Sequence, residues 1–162
     1  MNAQKLFVTF GGTGLAPRPL VTASVLATLI ALPIITLVGM ETLFMLTFVI
    51  TIIAVFEVNK YLASYPDGNE EQITIDDAAG VWMSLMVSLS TAMTLHLPYA
   101  LYIGTILALL FFLLFQTWRP STIGWMHRTL KGGLGIILSS ILSGLAGGLL
   151  SVAVLMGLEK IL

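Results

Sequence analysis

The chain alternates between long apolar runs and short polar stretches. A helix needs about 20 apolar residues to cross the hydrocarbon core of a bilayer. Runs of this kind predict membrane spans at residues 20–40, 42–57, 78–95, 99–117 and 134–157, with polar loops at 58–77 and 118–133. The second run is short for a span. The pattern therefore predicts an all-α transmembrane helix bundle of four to five spans, in a single membrane domain over residues 1–162.

The stretch before the first span, residues 6–17, is apolar but interrupted by Gly11, Gly12, Gly14 and Pro17. Irregular backbone survives near lipid only where protein or water satisfies its polar groups. We therefore predict a re-entrant or interfacial segment here. The glycines are not a P-loop, because the Lys-Ser/Thr pair that such a loop requires is absent.

Composition supports lipid as the solvent. The chain has 162 residues, of which 57% are hydrophobic and 9% charged, and its mean hydropathy is +1.01. A soluble domain carries roughly 45–50% apolar and about 25% charged residues, and a single domain of this length cannot hide so much apolar surface in its own core. The chain has no Cys, which excludes disulfides and thiolate zinc sites. A net charge of −1 without a basic tract gives no indication of a nucleic-acid partner.

Positive charge is concentrated on one side of the predicted bundle. With five spans, the N-terminus and both polar loops face the same side, and the remaining turns and the C-terminus face the other. Lys160 lies on the second side, whereas the first side carries the other cationic residues, Lys5, Arg18, Lys60, Arg119, Arg128 and Lys131. Because cytoplasmic loops are enriched in Lys and Arg, the first side is predicted to face the cytoplasm.

Acidic residues on that side are candidates for a metal site. Asp76 and Asp77 open the third predicted span. Carboxylates there can cap a helix and suit its dipole, or they can bind Mg²⁺, which usually takes one or two protein carboxylates. Glu57 ends the second span, where it is either a third metal ligand or the partner of Lys60.

The cationic residues Arg18, Arg119, Arg128 and Lys131 also have two interpretations. Basic residues next to a span set topology and contact anionic headgroups. Guanidinium groups also bind phosphate in a fork geometry. His127 stands beside them, as an interfacial residue or as an acid–base group. In the last span, Gly144 and Gly148 have the spacing of small residues that let helices pack closely in lipid.

The order of four motifs carries a family resemblance. They are GTGLAP near the N-terminus, IDDAAGVW at 75–82, WRPSTIGW at 118–125 and HRTLKGGLGI at 127–136. Together they resemble the phosphatidylglycerophosphatase A family in order and spacing across almost the whole chain. That family comprises small bacterial inner-membrane enzymes that depend on Mg²⁺ and remove the terminal phosphate of phosphatidylglycerophosphate to give phosphatidylglycerol.

An enzyme of this kind would give roles to several residues of this chain: the resemblance carries over Asp76, Asp77 and Arg119, and the other roles follow from charge and position. Asp76 and Asp77, with Glu57, would hold Mg²⁺, and Asp77 and His127 would take part in catalysis. The lipid phosphate would be bound by the basic residues Arg18, Arg119, Arg128 and Lys131. The implied partners are an anionic phospholipid substrate and the bilayer, and homo-oligomer formation is left open.

The chain departs from the family pattern at several acidic positions. Those positions are occupied here by Gln116, His127, Ser139 and Ser140. The alternative hypothesis is therefore a degenerate relative that binds anionic lipid or a membrane partner without turnover. A small transporter suits the hydropathy but not the charge pattern, because the spans have no ionisable residue near their middle.

Overall fold

The structure is a computed structural model that describes residues 2–66 and 70–162, and of Ser121 only the backbone. Within these residues every regular element is helical. The α-helices are α1 (Ala3–Val8), α2 (Pro19–Leu37), α3 (Met40–Ser64), α4 (Ile75–Thr94), α5 (Ala100–Trp118), α6 (Ser121–Thr129) and α7 (Gly132–Ile161). Short 3₁₀ helices at Thr13–Leu15 and Glu70–Gln72 lie in the connections. The predicted all-α membrane helix bundle is confirmed.

Four helices in the described part of the chain are long and apolar enough to cross a membrane, namely α2, α3, α5 and α7. The third predicted span corresponds to α4, which does not reach that level of hydropathy although it has 20 residues. Helix α4 packs against α2, α3, α5 and α7 and is enclosed by them, which explains why its hydropathy can be lower. Its Trp82, Leu85 and Leu89 are fully or almost fully buried.

Polar side chains of α4 form hydrogen bonds with the helices around it. The indole Nε1 of Trp82 donates to the Ala27 carbonyl of α2 at 2.9 Å. The hydroxyl groups of Ser84 and Ser88 donate to carbonyl oxygens of α5 at 3.0 and 2.7 Å. Helix α4 is therefore the buried centre of the bundle, and lipid-facing hydropathy is not required of it.

The helix ends differ from the predicted spans in the polar stretches. Helix α3 continues to Ser64 rather than ending at residue 57, and within it Glu57 and Lys60 form an ion pair of 3.0 Å along the helix surface. Helix α4 begins at Ile75, inside the predicted loop 58–77. Residues 67–69 of that loop lie outside the described residues. The second predicted loop, 118–133, contains α6, which starts after Pro120.

Helices α4 and α7 approach each other closely at two glycines. A Cβ atom on Gly144 would lie 2.1 Å from the carbonyl oxygen of Gly80, and one on Gly80 would lie 2.5 Å from the carbonyl oxygen of Ser140. Only small residues permit helix backbones to come so near. The contact holds the first turns of α4 against α7.

The N-terminal segment supports the beginning of α4. The backbone N–H of Thr74 donates to the Val8 carbonyl at 3.1 Å, and the hydroxyl groups of Thr13 and Thr74 are 3.0 Å apart. A Cβ on Gly14 would lie 1.9 Å from the carbonyl oxygen of Gln72. The glycine that interrupts this segment therefore allows a close backbone contact that fixes where α4 starts.

Candidate active site

A polar cavity of about 400 Å³ opens at one end of the bundle. Alternating helix directions bring the starts of α2, α4 and α7 and the end of α5 to this end, and α6 lies across it. The cavity is lined by Pro19, Leu20, Glu70, Glu71, Ile73, Asp76, Asp77, Gln116, Thr117, Arg119, His127 and Ile136. Residues from both predicted polar loops therefore meet in one space.

The acidic pair lies in the wall of this cavity. Asp76 and Asp77 occupy the first turn of α4 and are 4% and 5% exposed. The positive end of the helix dipole favours carboxylates there. Burial of two adjacent carboxylates is nevertheless costly unless hydrogen bonds or a cation compensate them. The carboxylate oxygens of both residues therefore need hydrogen-bond donors or a cation nearby.

A hydrogen-bond chain links the acidic pair to α5 and α7. The amide Nε2 of Gln116 donates to Asp77 Oδ1 at 2.9 Å and to Ser140 Oγ at 2.6 Å. The Ser140 hydroxyl in turn donates to Asp76 Oδ2. A carboxylate can only accept, so this arrangement fixes the orientation of the amide. Gln116 and Ser140 thus act as neutral donors to the two carboxylates.

Two buried side-chain oxygens have no hydrogen-bond partner within the described residues, Asp76 Oδ1 and Gln116 Oε1. Buried polar atoms in native proteins are nearly always paired with protein groups, water or an ion. Both atoms belong to residues that line the cavity. They are therefore suited to a ligand that presents a positive charge or a hydrogen-bond donor.

Arg119 supplies the positive charge in the cavity wall. Arg119 follows the last residue of α5 and has a left-handed backbone conformation (φ 48°). Its backbone N–H donates to the Phe115 carbonyl at 2.8 Å. The side chain turns back so that Nε donates to the carbonyl oxygen of Gln116 at 3.1 Å. This helix end and the start of α4 thus bring a guanidinium and two carboxylates to the same cavity.

His127 lies on α6 and faces Ser139 of α7. Its Nδ1 is 3.5 Å from Ser139 Oγ, and that hydroxyl donates to the Ile136 carbonyl at 2.9 Å. Partial burial lowers the pKa of His127, and the charge of Arg119 lowers it further, while Glu70 acts in the opposite direction. The imidazole is accordingly neutral at pH 7, the form that accepts a proton.

Glu57 is not among the residues that line the cavity. Its carboxylate accepts from Gln4 Nε2 at 3.3 Å and pairs with Lys60 at 3.0 Å. Within residues 2–66 and 70–162, no group of three or more Asp, Glu and His side chains is arranged to hold a metal ion. The structure therefore brings Asp76 and Asp77 together without the third predicted ligand.

The other predicted phosphate-binding residues lie outside the cavity wall. Arg18 precedes α2, Arg128 is in the last turn of α6, and Lys131 precedes α7. All three side chains are exposed at the same end of the bundle as the cavity. Of the predicted cationic set, Arg119 is thus the member that the structure places in the cavity wall.

Sequence reasoning missed several cavity residues. Glu70 and Glu71 line the cavity next to the acidic pair, but in the sequence they are two charges in a polar loop. Gln116 also lines the cavity, and Ser140 accepts a hydrogen bond from its amide. The sequence presents both residues only as departures from the family resemblance.

The fold and this cavity define a polytopic helical membrane protein with a carboxylate-rich site at one end of the bundle. The family model of phosphatidylglycerophosphatase A matches residues 6–155, most of the chain. The chain belongs to this family, whose activity is in general that of a phosphatidylglycerophosphatase. No curated protein and no solved structure matches the chain at a significant level.

Proposed function

We propose that the chain is a Mg²⁺-dependent phosphatase that converts phosphatidylglycerophosphate to phosphatidylglycerol. The observation that carries the proposal is the convergence of Asp76, Asp77 and Arg119 in one cavity of about 400 Å³. These groups come from separate parts of the chain. Catalysis of phosphoryl transfer consists mainly of positioning and electrostatic stabilisation, which such a set can supply.

Charge balance supports the requirement for a divalent cation. Among the residues that the structure describes, the cavity wall contains four carboxyl groups, of Glu70, Glu71, Asp76 and Asp77, and one guanidinium, of Arg119. A phosphate monoester carries a charge of about −1.5 to −2 at pH 7, so carboxylates alone would repel it. A bound cation is needed to make the site attractive to this substrate.

The residues of the cavity fit a Mg²⁺ ion. Mg²⁺ keeps several waters and takes one or two carboxylates together with substrate phosphate oxygens. Asp76 Oδ1 and Gln116 Oε1 are buried oxygens that lack a partner among the described residues. With Asp77, these residues would hold the ion. When bound, Mg²⁺ would neutralise developing charge on the phosphoryl oxygens.

The protein's own groups would then orient the substrate and move the proton. The Arg119 guanidinium binds phosphate oxygens of the headgroup. The neutral His127 imidazole accepts a proton from the water that attacks phosphorus. The phosphorus–oxygen ester bond would break as the water oxygen bonds to phosphorus, and the glycerol oxygen would take up one proton while the imidazolium of His127 releases the proton that it accepted. Inorganic phosphate and phosphatidylglycerol would be the products.

Phosphate release from phosphatidylglycerophosphate in detergent micelles, measured against Mg²⁺ concentration, tests the proposal. We expect no release in EDTA and a saturable increase with Mg²⁺. Asp76→Asn and Asp77→Asn should each lower release by about 10² or more, the effect of removing one group that stabilises charge in a transition state. Glu41→Gln is the matched control, because Glu41 lies at the start of α3, at the opposite end of the bundle. Equal release from all four proteins, or release in EDTA, would refute the metal role.

A relative without turnover is the second candidate. Its support is that Gln116 and Ser140 place neutral donors on the acidic pair where the family has acids. In that case the folded protein would bind the lipid phosphate but release no phosphate at any Mg²⁺ concentration. Lipid binding and phosphate release should therefore be measured on the same sample.

We further propose that the cavity faces the cytoplasm of a bacterial inner membrane. The support is the basic residues at this end of the bundle and the preference of such residues for the cytoplasmic side. The chain has no Cys, so single-cysteine labelling is free of background. Lys131→Cys should react with an impermeant thiol reagent in inside-out vesicles, and Lys160→Cys in right-side-out vesicles. The reverse pattern would overturn the orientation.

A further inference from the structure

The structure contains an apolar groove that continues from the polar cavity along the outside of the bundle. It lies between the start of α2 and the last turns of α5, has a volume of about 470 Å³, and is lined by Leu20, Val21, Leu110, Phe111, Leu113, Leu114 and Thr117. Leu20 and Thr117 also line the polar cavity. The two spaces therefore meet at these residues.

We propose that this groove holds one acyl chain of the phospholipid whose phosphate occupies the polar cavity. The proposal rests on the function proposed above and adds where the substrate enters. A lipid phosphate is tethered to its acyl chains, so a phosphate at the end of the bundle requires a chain to leave the cavity toward the hydrocarbon core. The groove provides that path.

The direction of the groove agrees with such an entry. Between residues 110 and 117, α5 rises about 10 Å, roughly a third of the ~30 Å hydrocarbon thickness. Both helices that form its walls, α2 and α5, are long and apolar enough to cross a membrane. The groove thus runs from the polar end of the bundle into the region where acyl chains lie.

The chemistry of the groove is also that of an acyl-chain site. Val21, Leu110 and Leu114 are exposed to 43%, 57% and 46%. The hydroxyl of Thr117, the polar side-chain group among the described residues of the wall, donates to carbonyl oxygens of its own helix at 2.6 and 3.1 Å. Its hydroxyl proton is used there, so an apolar ligand leaves no hydrogen-bond donor of this side chain unpaired.

A second apolar groove is a less suitable candidate. It lies between α3 and α4, and its wall contains Met40, Glu41, Met86 and Thr91. None of its described lining residues belongs to the polar cavity, and it includes the start of α3, at the opposite end of the bundle. A lipid there could not place its phosphate between Asp76 and Arg119.

Photolabelling tests the proposal without requiring turnover. The probe is phosphatidylglycerophosphate with a diazirine in one acyl chain, in nanodiscs, with adducts located by mass spectrometry. We expect adducts at 20–21 and 110–114, suppressed by unlabelled phosphatidylglycerophosphate but not by phosphatidylcholine with the same chains. Two results would overturn the proposal, because each would mean that bulk lipid fills the groove. One is an even spread of adducts over the lipid-facing sides of α3 and α7, and the other is equal suppression of the adducts by phosphatidylcholine.

Filling the groove gives an independent measurement. Leu114→Trp, and Val21→Trp on the opposite wall, should reduce competed labelling and lower kcat/KM for the lipid by between about tenfold and 10²-fold, because a misplaced reacting group loses rate steeply. Turnover of water-soluble glycerol phosphate, which has no acyl chain, should not change. Leu149→Trp is the matched control, since Leu149 is 64% exposed on α7 and outside the groove. Equal effects of the three substitutions on the lipid reaction would contradict the proposal.

The two proposals fail in different ways. Competed labelling of the groove without any phosphate release would retain the acyl-chain site and refute the phosphatase. Phosphate release with uniform, uncompeted labelling would retain the phosphatase and refute the acyl-chain site.

Discussion

The substitution Gly144→Ala tests whether close packing of α4 on α7 holds the site together. The new Cβ would lie 2.1 Å from the Gly80 carbonyl oxygen, whereas ordinary contact begins at 3.4 Å. The backbones must therefore separate locally by about 1.3 Å. Overpacking of this kind costs about 1–3 kcal/mol, and we expect a lower unfolding temperature in detergent micelles.

The same separation should disturb the acidic pair. Ser140 precedes Gly144 by one turn of α7, and Asp76 precedes Gly80 by one turn of α4, so the helix contact and the Ser140–Asp76 hydrogen bond are neighbours. Separation of the two backbones at Gly144 and Gly80 should therefore lengthen and weaken that hydrogen bond. Phosphate release should consequently fall even at a temperature well below the unfolding midpoint.

Gly157→Ala is the matched control for this experiment. It lies on the same helix, and a Cβ there would meet no atom within 4 Å. We expect its unfolding temperature and its phosphate release to equal those of the unchanged protein. If Gly144→Ala behaves as Gly157→Ala does in both measurements, the close approach is not needed and the reasoning is wrong.

Three further substitutions address individual groups of the cavity. Arg119→Ala should lower kcat/KM by about 10²-fold or more. Arg128→Ala should change kcat/KM little, because Arg128 lies outside the cavity wall. Equal losses in the two variants would contradict the assignment of phosphate binding to Arg119. Gln116→Glu places a third carboxylate beside the acidic pair, so the unfolding temperature should fall without Mg²⁺ and rise more steeply with Mg²⁺ than in the unchanged protein. Mg²⁺ at 100 times its dissociation constant should raise the free energy of unfolding by about 2.7 kcal/mol, and an unaltered Mg²⁺ response argues against an ion at this position. Burial lowers the pKa of His127 below its ordinary 6.5, so the acidic limb of the pH–rate profile should lie below pH 6.5. The contribution of the neutral imidazole to the free energy of unfolding should be complete above pH 6.5 and should decrease as the pH falls through the lowered pKa. His127→Gln should abolish that limb, and a limb that persists unchanged would assign the titration to another group.

Hydropathy was sufficient to predict the bundle but not the role of α4. Helices that face lipid must be apolar, and the runs that became α2, α3, α5 and α7 are apolar for that reason. The polar groups Ser84 and Ser88 on α4 find acceptors on α5. A window of hydropathy counts such hydroxyl groups as unfavourable, because it contains no information about their partners. For the same reason, α3 could not be followed past Glu57 by apolar content alone.

The site was predictable in part from the spacing of motifs. The acidic pair and the Arg-Pro loop stand out in the sequence, and the structure brings Asp76, Asp77, Arg119 and His127 to one cavity. The membership of Glu70 in that cavity depends on the path of a loop, and such a path is set by tertiary contacts. The exclusion of Arg128 and Lys131 from the wall has the same origin, since local sequence gives a charge near the membrane without its direction.

The enclosure of α4 also has a consequence for the biogenesis of the chain. Synthesis from the N-terminus produces α4 before α5 and α7, yet its serine hydroxyls depend on carbonyl oxygens of α5 and its acidic pair on donors from both later helices. An incomplete chain therefore leaves Ser84, Ser88 and the acidic pair of α4 without their partners on α5 and α7. The segments that make α4 acceptable to the bilayer are those that carry Gln116, Arg119 and Ser140, so no partly inserted form of the protein possesses the assembled cavity.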